Sequence, residues 1–94
     1  MRNYEVALIA HPELNDEALA ALVDKVTGWI TAAGGVLGEI DRWGRRRLAY
    51  PIRKQREGQY MFVPAQMPPA ATRDLERNLR LTESILRFMI TLKE

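Results

Sequence analysis

The 94-residue chain is 47% hydrophobic and carries a net charge of +2, enough for one domain and one core, because a chain this short buries only roughly 60–65% of the surface its unfolded form exposes. It contains no cysteine, which excludes a disulfide framework, a thiolate metal site and a cysteine nucleophile, and no apolar run approaches the roughly 20 residues of a membrane span. The charge is unevenly placed: Arg42, Arg45, Arg46, Arg47, Arg53, Lys54 and Arg56 are seven of the fourteen basic residues, with no acidic residue among them, so the remainder carries seven basic against twelve acidic.

In chain order, Tyr4 to Ala10 alternates Tyr4, Val6 and Leu8 against Glu5, Ala7 and Ile9, which predicts a strand with one apolar side and one mixed side. The opening Met1-Arg2-Asn3-Tyr4 leads directly into it, the pattern of neither a signal peptide nor a transit segment, so a cytoplasmic location is expected. His11-Pro12 ends the strand. Asn15 is a natural N-cap, Asp16 and Glu17 favour the first turn of a helix, and Leu14 is placed to staple against Leu19. Leu19, Leu22, Val23, Val26, Trp29, Ile30 and Ala33 follow at helical spacing, and Gly34-Gly35 stops the helix.

Val36 to Ile52 reads as one long strand, bent or bulged at Gly44, and a turn over Arg53 to Gly58 returns the chain into a third strand, Gln59 to Met67. Pro68-Pro69 opens a second helix with Ala71, Leu75 and Leu79 on one side. A last strand spans Ile85 to Leu92. The order βαββαβ with right-handed crossovers predicts a single α+β domain over residues 1–94, a four-stranded antiparallel sheet with two helices on one face, the ferredoxin-like arrangement.

Such a sheet leaves one face uncovered. Val6, Leu8, Met61, Val63, Ala65, Met67, Phe88 and Ile90 fall on the side expected to meet the helices; Glu5, Ala7, Ile9, Tyr60, Phe62, Pro64, Gln66, Arg87 and Met89 fall on the other. Pro64 is expected to force a bulge or local break in the third strand, since proline removes a ladder donor, whereas Pro51 sits more easily on an edge strand.

Catalytic chemistry has little footing. His11 is the single histidine and sits before a proline at a strand end, where a structural or solvated role is expected, Asp41 reads as an edge-strand charge, and no metal-ligand cluster or phosphate-cradling loop is visible, so neither an enzyme nor a cofactor is expected. Edge strands carry charge to block aggregation, but one or two residues suffice for that. Seven cations in fifteen residues point instead to phosphate neutralisation. Alternation sends Arg45 and Arg47 to one side of the strand and Arg46 to the other, so RNA and a protein can divide them. Leu48, Tyr50 and Ile52 suit a mixed apolar and basic protein interface. Tyr60 and Phe62 could stack on bases, yet "GQYMFVPAQM" lacks the aromatic consensus of RNA recognition motifs, which favours protein contact.

The opening "MRNYEVALI", the run "GRRRLAYPI" with its following basic residues, the "EGQY" entry to the third strand, the proline after Met67 and the closing "RFMI" together resemble the bacterial small-subunit ribosomal protein S6 family over nearly the whole chain. The resemblance implies a non-catalytic protein of the small-subunit platform that pairs with ribosomal protein S18 and binds the central domain of the small-subunit ribosomal RNA. Carried over, Arg2, Arg45, Arg46, Arg47, Arg53, Lys54, Arg56 and Arg87 become candidates for phosphate contact, and Leu48, Tyr50, Tyr60 and Phe62 for the protein partner. Two departures from the family pattern are Pro64, where a regular strand residue is usual, and the end at Glu94, so no tail-dependent contact is carried over. Two rival readings on the same fold are a phosphate-holding hydrolase of the acylphosphatase kind and a regulatory domain that dimerises through sheet edges and binds small molecules.

Overall fold

In the computed structural model, which describes residues 1–93, the elements are β1 (Arg2–Ala10), α1 (Asp16–Ala32), β2 (Val36–Leu37), β3 (Asp41–Ile52), β4 (Gln55–Met67), α2 (Ala71–Arg80) and β5 (Ile85–Lys93). The sheet is antiparallel throughout, with β1 at its centre between β4 and β5, and with β2 and β3 sharing the outer edge of β4. Both helices lie on one face. Leu22, Val23, Val26 and Ile30 of α1 and Leu75 and Leu79 of α2 bury against Val6, Leu8, Met61, Val63, Ala65 and Met67 of the sheet. Phe88 and Ile90 are half-buried beside them.

The ends of α1 follow from its sequence. Asn15 is extended (φ −76°, ψ 175°) and its side chain accepts from Ala18 N–H at 2.8 Å, which satisfies one of the four orphan donors of the first turn. At the other end Gly34 N–H donates to Thr31 O at 3.0 Å and Gly35 N–H to Ile30 O at 2.9 Å, the pair of bonds of a Schellman motif. Gly34 takes φ +86°, which costs a residue without Cβ nothing. Asn15→Ala is expected to lower stability by about 1 kcal/mol, measurable as a smaller unfolding free energy in urea at an unchanged m-value.

Three features differ from expectation. The long strand Val36–Ile52 is two strands: pairing runs from Val36 and Leu37 against Gln66 and Ala65, lapses over Gly38 to Ile40, and resumes at Asp41 opposite Phe62. The cause lies across the ladder. Pro64 accepts from Gly38 N–H at 2.8 Å through its carbonyl, and in an antiparallel strand the N and C=O of one residue face the same neighbour. Its missing donor therefore faces the edge, not β1. Accordingly the expected break in β4 is absent, the β1–β4 register passing through Glu5↔Pro64 without a shift, and the discontinuity appears in the edge strand opposite. Gly38 completes the fit, since a Cβ there would stand 3.0 Å from Pro64 Cγ.

The expected turn Arg53–Gly58 is shorter. Ile52 pairs with Gln55, so the loop is Arg53-Lys54 alone and β4 begins at Gln55, four residues before Gln59. Both turn residues have positive φ, +48° and +67°, the signature of a type I′ hairpin turn, whose twist matches the strands it joins.

Candidate nucleic-acid and protein interface

A one-residue bulge decides which side chains of β3 face where. The register moves between Arg42↔Met61 and Gly44↔Tyr60, so Trp43 and Gly44 together oppose one residue, with Gly44 at φ +77°. Beyond it Arg45 opposes Gln59, Arg46 opposes Gly58 and Arg47 opposes Glu57. Because Gly58, Tyr60 and Phe62 share the uncovered face, Arg46 falls on that face, and Arg45 and Arg47 fall on the helix side.

On the uncovered face the rings gather. Trp43 lies 4.8 Å from Phe62, tilted at 58°, and 6.5 Å from Tyr60 at 21°, and its indole N–H donates to Asp41 Oδ2 at 3.0 Å. The Arg46 guanidinium sits 6.0 Å above the Trp43 ring, a cation–π arrangement. Ala7, Ile9, Tyr60, Phe62 and Met89 line an apolar groove that continues from the rings. Trp43 is 49% exposed and Met89 60%, large apolar side chains that the fold itself leaves uncovered.

The far end of the β3–β4 hairpin curls over this face. Leu48 is only 8% exposed and reaches toward Gly58 and Ile9, so its apolar surface is already covered within the chain. Tyr50 is 55% exposed; its hydroxyl accepts from Arg87 Nη1 and its ring lies 5.8 Å from the same guanidinium. Thus of the four side chains expected at a protein interface, Tyr60 and Phe62 stand on the uncovered face, Tyr50 on its rim, and Leu48 beneath the hairpin.

The basic residues divide similarly. Arg42, Arg47, Lys54 and Arg56 are exposed and make no side-chain hydrogen bond or ion pair with any described residue, and Arg46 touches only the Trp43 ring. Arg47 and Arg56 line one shallow notch with Pro12, Gln55 and Glu57. Arg45 donates to Pro12 O, and Arg53 to the carbonyls of Glu83 and Ile85. Arg2 opposes Met67, ten residues along β4 from Glu57, the residue that Arg47 opposes, so the two arginines stand about 33 Å apart at ~3.3 Å per residue. One small patch cannot include it. His11 is held at both its side chain and its backbone: its Nδ1 accepts from Glu13 N–H at 3.1 Å and its carbonyl accepts from the side-chain Nε2 of Gln59 at 3.1 Å.

Residues 3–91 match the family described as Ribosomal protein S6. The chain belongs to the ribosomal protein S6 family. It is 44% identical to the small ribosomal subunit protein bS6 of Moorella thermoacetica over 91 residues, covering 97% of this chain and 93% of the relative. With bS6 of Clostridium novyi it shares 46% identity over 90 residues, covering 96% and 95%. The crystal structure of ribosomal protein S6 from Thermotoga maritima superposes with a TM-score of 0.93 at 29% identity, covering 98% of this chain and 87% of the other. These relatives are structural proteins of the ribosome and not enzymes, so this S6 chain is a constituent of the small ribosomal subunit, which places it on the ribosome in the cytoplasm. The ferredoxin-like fold read from the sequence is the S6 fold.

Trp43 is the S6 side chain that sequence reasoning passed over. Its only signal was position: an aromatic residue immediately before the glycine suspected of a bulge, flanked by Arg42 and Arg45.

Proposed function

We propose that this S6 chain binds the central domain of small-subunit ribosomal RNA at the subunit's platform, together with ribosomal protein S18. The observation that carries the reading is the basic hairpin: exposed cations without a hydrogen bond or ion pair to any described residue stand on β3, β4 and the turn between them, beside an uncovered apolar and aromatic face. Arg46, Arg47, Lys54 and Arg56 neutralise phosphates, and Arg2 makes a separate contact at the far end of the sheet. Arginine suits this because its planar fork can hold two phosphate oxygens at once while its stem packs on apolar neighbours. Tyr60 and Phe62, joined by Trp43 and Met89 and rimmed by Tyr50 and Arg87, receive the protein partner. Aromatic and methionine side chains with an arginine border are what interface cores favour. No bond is made or broken; the product is a positioned RNA.

The test is a titration against a central-domain ribosomal RNA fragment, with and without S18, at 50 and 200 mM salt. These five phosphate contacts predict a loss of about 100–500-fold in affinity across that range, from the release of condensed counterions. Binding is expected to strengthen when S18 is present. A stable homodimer that ignores RNA in every combination overturns the reading.

A further inference from the structure

Two arginines of the basic hairpin point back into their own chain. Arg53 donates through Nη1 to Glu83 O at 3.3 Å and through Nη2 to Ile85 O, bracketing Ser84 where the chain passes from α2 to β5. Arg45 donates through Nη2 to Pro12 O after β1, with its Nε 3.9 Å from Glu57 Oε1. The two loops they grip are joined, because His11 N–H donates to Ser84 O at 2.8 Å. Arg45 and Arg53 therefore clasp one ledge, formed by residues 11–12 and 83–85.

The hairpin needs such a hold. Ladder pairing between β3 and β4 lapses after Arg47↔Glu57 and returns only at Ile52↔Gln55. The turn beyond places two side-chain-bearing residues, Arg53 and Lys54, in the left-handed region, a conformation retained only where the surroundings over-determine it. Guanidinium bonds to carbonyls of a separate loop are that constraint: the fork sends separate nitrogens to Glu83 O and Ile85 O in a fixed geometry, where a lysine has a single nitrogen on a flexible stem.

We infer that Arg45 and Arg53 are positioning residues: latches that hold the distal hairpin on the ledge and so fix where Arg46, Arg47, Lys54 and Arg56 present their charge, without contacting phosphate themselves. The binding half of this inference rests on the proposed RNA reading; the latch itself does not.

Amide hydrogen exchange over residues 48–55 and the salt dependence of RNA binding separate the roles. Arg53→Gln is expected to speed exchange of those amides by roughly 10-fold, the loss of a bond from a charged donor, and to leave the salt slope at its wild-type value. Arg53→Lys keeps the charge but not the fork, and is expected to exchange nearly as fast as Arg53→Gln. Arg47→Gln is expected to do the reverse, lowering the slope by on the order of 0.7–0.9 with exchange unchanged. An Arg53→Gln chain with a reduced slope and undisturbed exchange, or full restoration of both by lysine, overturns the latch. If the wild-type chain binds no RNA at either salt, the proposed function falls, and the exchange measurements still decide the latch.

Discussion

The double variant Arg46→Glu with Arg47→Glu is expected to weaken assembly with RNA and S18 by at least about 100-fold at moderate salt, with a change in folding stability within about 0.5 kcal/mol. Both side chains are exposed, and neither makes a hydrogen bond or ion pair with a described residue, so their replacement removes little that holds the fold. Each lost phosphate contact flattens the salt slope by on the order of 0.7–0.9, and reversal of sign adds repulsion to the loss. Strand alternation puts the two on opposite sides of β3, and the bulge at Trp43-Gly44 sets Arg46 on the uncovered face, which makes the single variants informative. Arg46→Glu also removes the cation over Trp43 and is expected to cost more in the presence of S18 than without it. Arg47→Glu is expected to cost the same in both. Filter binding on the four chains, paired with urea unfolding, measures all of this; equal binding by wild type and double variant overturns the phosphate role of the arginine run.

Gly58→Ala is expected to destabilise the fold by about 2 kcal/mol, seen as a fall in Tm of roughly 10 °C for a domain of this size. A Cβ at Gly58 would stand 2.4 Å from Ile9 Cγ2, 3.4 Å from Ala10 O and 3.6 Å from Leu48 Cδ2. The methyl of Ile9 branches directly from its Cβ, so it cannot swing aside without a change of rotamer. The contrast is Gly28, inside α1, where an added Cβ meets nothing within 4 Å. Gly28→Ala is expected to stabilise by about 0.5–1 kcal/mol through helix propensity and a less flexible unfolded chain. Thermal unfolding of the two variants side by side should move Tm in opposite directions.

What could be read in the sequence was whatever a short window controls. Asn15 and Gly34-Gly35 announced both ends of α1 because capping depends on a residue's own side chain and its nearest turn. The faces of β1 and β4 were legible because their alternation is regular from Val6 to Leu8 and from Met61 to Met67. Pro64 was half legible: its missing donor disrupts a ladder, but which neighbour loses the bond depends on which way that residue's peptide faces, and only the register Glu5↔Pro64 and the Gly38 bond reveal it. The hairpin turn was hidden because Arg-Lys is not the Asn-Gly that a type I′ turn favours. The candidate site suffered most from long-range effects. Leu48 looked like interface and is interior, and Arg53 looked like a free cation and is bonded to Glu83 and Ile85, thirty or more residues away. Sequence composition located the basic hairpin; only the curl of that hairpin sorts its members.

The central place of β1 also bears on how the chain comes off its own assembly line. β1 needs two neighbours, β4 and β5, and both are made after it, β5 later than β4. Until β5 arrives, β1 keeps one row of backbone donors and acceptors unpaired, and Val6 and Leu8 lack part of their lateral cover. Stepwise folding from the N-terminal end, open to proteins whose contacts are local, is closed to this topology. A chain halted before Ile85 is therefore expected to offer the free edge of β1 as a template for strand pairing, so that the speed with which synthesis reaches β5 bears on its tendency to aggregate.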